Sequence, residues 1–150
     1  MQKGRFAVST SVKPDKTMAD IRKTLKKYGA VSIHIAEDDR LNKVAVEFIL
    51  SERRVRFVVT MPTMAECYLR RDGGRMGDVQ AKQSYEKQVR SAWRSLYLVI
   101  KGKLESIEMG IETIEEVFMA QLVLSDGKTL AEVVLPQLES GQLMLSGGTS

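Results

Sequence analysis

Three times between Ala30 and Met61 the chain alternates polar and apolar residues, and soon afterwards it carries its longest run of helical periodicity. "AVSIHIA" sets Val31, Ile33 and Ile35 on one side, "KVAVEFIL" sets Val44, Val46, Phe48 and Leu50, and "RVRFVVTM" sets Val55, Phe57, Val59 and Met61. A period of two places each set on one face of a strand. The links "EDDRLN" and "SERR" are hairpin-sized, so the runs predict three consecutive antiparallel strands with one apolar face. That face must be covered. From about Ser84 to Met109 the residues Val89, Trp93, Leu96, Ile100, Leu104 and Ile107 recur at steps of three and four, which predicts a long amphipathic helix lying across the sheet.

The flanks are read by the same two periods. "GRFAVSTSV" alternates and predicts a further strand, ended by Pro14 and Asp15. "KTMADIRKTLKKYG" has Met18, Ile21, Leu25 and Tyr28 at helical spacing, with Gly29 placed to end the helix. Beyond Gly110, Thr113 with Glu116 forms a capping box for a helix to about Leu124. "SDGKT" turns the chain, and Thr129 with Glu132 repeats the box for a last helix to about Ser140, containing Pro136. The expected fold is α+β: a β-α-β-β-β-α core, its antiparallel sheet packed by a long helix, with short C-terminal helices. Residues 1–145 read as one domain, residues 62–81 as a mobile basic loop within it, and residues 146–150 as a disordered tail.

Chemistry narrows by elimination. Cys67 is the only cysteine, so no internal disulfide and no cysteine-based zinc site can form, which suits a reducing compartment. His34 is the only histidine and lies in a strand-like run, where a structural role is expected. "DGKT" at 126–129 resembles the end of a phosphate-binding loop, but Leu122 stands where that motif needs glycine. Glu37, Asp38 and Asp39, or Glu105, Glu108 and Glu112, could hold a hard cation, yet neither spacing gives the convergent geometry a metal needs, and a solvated turn and a solvated helix face are the expected readings. No catalytic constellation, metal site or cofactor is expected. No stretch reads as a secretion signal or a membrane span, so the expected location is the cytoplasm, away from membranes.

Charge is the informative property that remains. The net charge is +4, but residues 1–103 hold 22 Lys and Arg against 11 Asp and Glu, a balance of +11, while residues 104–150 hold Lys128 against 8 acids, a balance of −7. Such a division points to a basic interaction surface beside an acidic segment, though the two parts could also attract each other within the fold. Three basic elements stand out. On the long helix Lys87, Arg90, Arg94 and Lys101 fall within about 60° of one another, with Tyr97 on the same stripe. The non-core face of the sheet is expected to carry Arg54 and Arg56, with Arg5, Ser9, Ser11 and Thr60 beside them. The loop "YLRRDGGRMGDVQAK" adds Arg70, Arg71 and Arg75, and Gly73 and Gly74 would let it fold over a ligand. Cations spread along a track suit phosphates, and an aromatic among them suits an unstacked base.

"VRFVVTMP", followed after a loop by "AWRSLYLVIKGKLESIEMGIETIEEVFMAQLVLSDGKTLAEVVLPQLESG", resembles a family of small proteins of unassigned function encoded by phages and integrated elements. The resemblance spans roughly residues 54–141 and is most specific at Trp93-Arg94, at Ile100 to Glu105 and at the Asp126-Gly127-Lys128 turn. It implies a setting and no activity. The order of elements also looks like the core of single-strand annealing proteins and recombination mediators, by analogy of topology. These readings lead to one expectation, a non-enzymatic protein that binds nucleic acid, favours single-stranded DNA and serves phage replication or recombination. The alternative is a module that binds or inhibits a host or phage protein through the open sheet face or the acidic C-terminal helices. Self-association is expected separately, because "VFMAQLVL" and "LAEVVLPQL" are apolar on more than one helical face.

Overall fold

The computed structural model describes the backbone of residues 2–69 and 73–147, and the side chains of those residues from residue 14 onward. The chain runs through helix α1 (Gln2–Lys27), strands β1 (Val31–Asp38), β2 (Lys43–Leu50) and β3 (Arg53–Thr60), and helices α2 (Met64–Cys67) and α3 (Asp78–Glu108). Helix α4 (Ile114–Val117), a 3-10 turn at Met119–Gln121 and helix α5 (Leu130–Ser140) complete it. This is the expected α+β architecture, an antiparallel three-stranded sheet flanked by a long helix and followed by short helices.

Sheet order is β1-β2-β3, and the register sets Ile35, Val46 and Phe57 in one row across the three strands. The next row, His34, Glu47 and Arg56, therefore points to the opposite face. The hairpin between β2 and β3 turns on Ser51 and Glu52, both with positive φ (46° and 66°), the backbone hand that matches the twist of paired strands. Between β1 and β2 the Asp38 carboxylate accepts from the Arg40 and Leu41 amides at 3.0 and 3.2 Å and closes the link.

Both long helices cover the same sheet face. Ile21 and Leu25 of α1 meet Val46, Phe48 and Val55 of the sheet and Trp93, Ile100 and Leu104 of α3 in one core, all fully buried. Burying a side chain of this size contributes about 1.5–3 kcal/mol, so this set dominates the folding energy. Phe118, delivered after α4, closes one end of the core with its ring edge-on to Phe48 and Phe57, at 5.7 and 6.0 Å between centroids. Trp93 is a core residue and not a partly presented one.

Four expectations are corrected. "GRFAVSTSV" is not a strand, since residues 2–27 form one helix that contains Pro14. A helix satisfies its backbone internally, whereas another strand needs a ladder partner, and Pro14 removes only one rung. Arg5, Ser9 and Ser11 therefore do not belong to the sheet. Helix α3 starts at Asp78, six residues before the predicted Ser84. The segment 62–81 is not one loop: Thr63 and Glu66 form a capping box for α2, and Leu69 bridges Arg75 beyond it. Lastly, the helix expected from Thr113 to Leu124 stops at Val117; Leu122 bridges Val55 and the Val123 amide donates to the Arg54 carbonyl at 2.9 Å. The free edge of β3 offers the apolar run a ladder bond that an isolated helix lacks.

Candidate nucleic-acid interface

Helix α3 buries Val89, Trp93, Leu96, Ile100 and Leu104, which turns Lys87, Arg94 and Lys101 outward to solvent, with Arg90 and Tyr97 half-buried beside them. The stripe read from the sequence is therefore continuous on one side of the helix. The Arg94 guanidinium lies 5.2 Å from the centre of the Tyr97 ring, less than a turn away, so cation and ring form one flat, polar-edged unit. Alongside runs an open groove of about 520 Å³ lined by Pro62, Ser84, Lys87, Gln88, Ser91, Ala92 and Ser95.

Helix α1 packs beside α3 on the same face of the sheet. Its buried Ile21 and Leu25 leave Lys16, Arg22, Lys23, Lys26 and Lys27 exposed, so the outer surface of the helical layer draws cations from both helices. Sequence reasoning read "KTMADIRKTLKKYG" for its apolar side and missed these residues as partners of the stripe; its own run of lysines was the available signal. Asp15 and Asp20 within α1, and Glu105 and Glu108 at the C-terminal end of α3, temper the charge. Ion pairs among the described residues join Arg40 to Asp38, Arg53 to Glu115, and Arg54 and Arg56 to Glu47; none involves a base of α1 or α3.

The arginines of the sheet are placed differently. Arg54 and Arg56 project from the face opposite the helices, because Val55 and Phe57 between and beside them point into the core. Both are engaged. Arg54 Nη1 donates to Glu47 at 2.7 Å, Arg56 Nε donates to Glu47 at 2.8 Å, and Arg56 Nη1 donates to the Gly127 carbonyl at 2.8 Å. Burial pushes the Glu47 carboxyl up, but the hydrogen bonds and charges of Arg56 and Arg54 outweigh it and hold the group below its ordinary range. The sheet pair and the helix stripe thus lie on opposite sides of the molecule and do not form one track.

Of the loop arginines, Arg70 and Arg71 lie outside the described residues. Arg75 stands exposed with its guanidinium 4.6 Å from the Tyr68 ring, and Tyr68 Oη in turn donates to Asp78 at 2.9 Å, at the first residue of α3. The Met76 amide donates to the Tyr68 carbonyl at 2.7 Å, so the base of the loop is tied to the start of the helix that bears the stripe.

Other chemistry-bearing groups are accounted for locally. Cys67 is buried, and burial pushes its thiol up, away from the reactive thiolate. His34 Nε2 lies 3.3 Å from Ser32 Oγ on the exposed sheet face. Glu37 is pushed up by burial and by the nearby charges of Asp39 and Asp15. Glu112 lies beyond the end of α3 and accepts from Ser106 Oγ at 2.8 Å, so it does not share a helix face with Glu105 and Glu108. Among the described residues no group of His, Cys, Asp and Glu has the geometry to hold a metal ion, and no helix is long and apolar enough to cross a membrane. Comparison of the chain with protein-family models, with curated proteins and with solved structures returns no match.

Proposed function

We propose that this protein binds nucleic acid without catalysing a reaction, preferring single-stranded DNA, on the outer surface of its α1–α3 layer. One observation carries the reading. The described ion pairs gather on the sheet and at its turns, while the cations of the two long helices have no acidic partner within the described residues. An uncompensated row of cations is costly in self-repulsion, and a polyanion relieves it while releasing condensed counterions. The Arg94–Tyr97 unit within the row offers a face on which an unpaired base can stack, and this favours a single strand over a duplex.

The binding residues on this reading are Lys87, Arg90, Arg94, Tyr97 and Lys101, joined by Lys16, Lys23 and Lys27 of α1 and by the loop arginines Arg70, Arg71 and Arg75. Arg54 and Arg56 are left out, because both guanidiniums are bound to Glu47 on the face of the sheet turned away from the helices. The setting is an accessory to replication or recombination of a phage or prophage, in the cytoplasm of its host. A mobility assay tests it: a labelled single strand should be retarded at low salt, be released steeply as salt rises, and be displaced poorly by duplex of the same length. Absence of binding at low salt defeats the proposal.

A second reading, a module for a protein partner, is favoured by the C-terminal segment. Helix α5 has no buried residue although most of its side chains are apolar. A stoichiometric protein captured from host lysate after nuclease treatment supports this reading over the first.

A further inference from the structure

The C-terminal arm of this fold is held firmly yet left uncovered. Thr129 and Glu132 cap the start of α5 reciprocally, Gly141 ends it at φ 81°, and the Leu143 amide returns to the Gln137 carbonyl at 3.0 Å. The arm is thus ordered through Leu143. Even so, among the described helices and strands α5 packs against the Met119–Gln121 turn alone, and Leu135, Leu143, Met144 and Leu145 remain exposed, Met144 at 84%. Apolar side chains left in water on an ordered element and on the residues that follow it mark an interaction surface.

Charge decides what can cover it. The arm from Thr129 onward carries Glu132 and Glu139 and no Lys or Arg, so a nucleic acid is repelled, and two such arms set face to face gain no opposite charge from each other. The complementary surface is on α3, which α5 does not touch. Leu98 and Val99 of α3 are exposed at 52% and 46%, beside the groove lined by Ser91, Ala92 and Ser95, and Arg94 and Lys101, four residues before and three after Leu98, border them. An apolar ridge within a cationic frame fits an apolar helix with acidic neighbours in both respects.

We infer that the arm of one copy, Leu135 with Leu143, Met144 and Leu145, docks on Leu98 and Val99 of α3 in a second copy. The contact joins two different surfaces. It is therefore heterologous, and each added copy presents a fresh arm and a fresh ridge, so the assembly grows head to tail and does not stop at a dimer. It weakens with salt, since complementary charge sets the pairing. The inference stands apart from nucleic-acid binding and is tested without any nucleic acid.

Sedimentation velocity on the whole chain at tens of micromolar, in low salt, reads it. The parent should form a concentration-dependent series of species, and Leu135→Glu with Leu145→Glu should reduce it to monomer. Leu98→Glu with Val99→Glu should do the same, and circular dichroism unchanged from the parent shows that each variant folds. An equimolar mixture of the two variants should recover one contact and stop at a heterodimer, because the first keeps its ridge and the second its arm. A parent that stays monomeric overturns the inference. So does a closed dimer that survives the ridge substitutions, or a mixture of the two folded variants that remains monomeric.

Discussion

Arg56 and Glu47 stand opposite one another on adjacent strands, and the guanidinium Nε donates to the carboxylate at 2.8 Å on the face of the sheet turned away from both long helices. This pairing removes Arg56 from the set of available cations. It also makes a testable contribution to stability. Glu47→Gln should lower the stability by about 1 kcal/mol, a modest figure because solvent screens the pair. The carboxyl titrates below its ordinary range when folded, so its contribution is present above the unfolded value near pH ~4.3 and is lost as pH falls through the folded one. Thermal unfolding followed from neutral pH downward should therefore show a shallower acid loss in the variant. An unchanged acid limb would mean that the pair is not formed.

Trp93 fills the centre of the core and is 1% exposed. Trp93→Ala should cost about 3–5 kcal/mol in chemical denaturation, the range for removing a large buried aromatic. Its fluorescence in the parent should be blue-shifted and insensitive to added oligonucleotide. Quenching on binding would place the indole at the interface and contradict the burial.

Thr129 is buried, and its hydroxyl accepts from the Glu132 amide at 3.3 Å at the start of α5. Thr129→Ala should destabilise the fold by about 1 kcal/mol, as loss of an N-cap does. Because α5 buries no residue of its own, that cost should appear as local fraying, read by faster amide exchange in residues 130–140, ahead of global unfolding.

Much of this architecture is legible in the residues themselves. Strict alternation from Val44 to Leu50 returns as buried positions, that from Val55 to Met61 does so at Val55, Phe57 and Met61 with Val59 half-buried, and the steps of α3 return as its buried face, because burial on one side imposes the period. "GRFAVSTSV" misleads for a physical reason: nine alternating residues suit a strand only if a ladder partner exists, and the sheet ends at β1. Arg54 and Arg56 mislead differently. Their spacing tells which face they occupy, but Glu47 reaches them only through the register of β2 against β3, which no local pattern reveals. Lys16 to Lys27 were visible as a basic run; what joins them to α3 is the packing of two helices distant in sequence.

The basic loop offers its own test. Arg70→Ala, Arg71→Ala and Arg75→Ala together should lower affinity for all single-stranded sequences alike and reduce the slope of log affinity against log salt by roughly 2–3. Melting temperature should hardly move, as Arg75 is exposed and its guanidinium rests on the half-buried Tyr68 ring at the surface. A parental slope in the triple variant would make the loop a tether and nothing more.

The location of the interface is the central claim, and one comparison of salt slopes tests it most directly. Single-stranded oligonucleotide binding is titrated against salt for the parent, for Lys87→Ala with Arg94→Ala and Lys101→Ala, and for Arg54→Ala with Arg56→Ala. The helix variant should lose roughly 2–3 from the slope, with affinity falling at every salt concentration. The sheet variant, whose arginines are already paired with Glu47, should keep the parental slope. The opposite pattern, a slope lost with the sheet arginines and retained without the helix cations, would contradict the account.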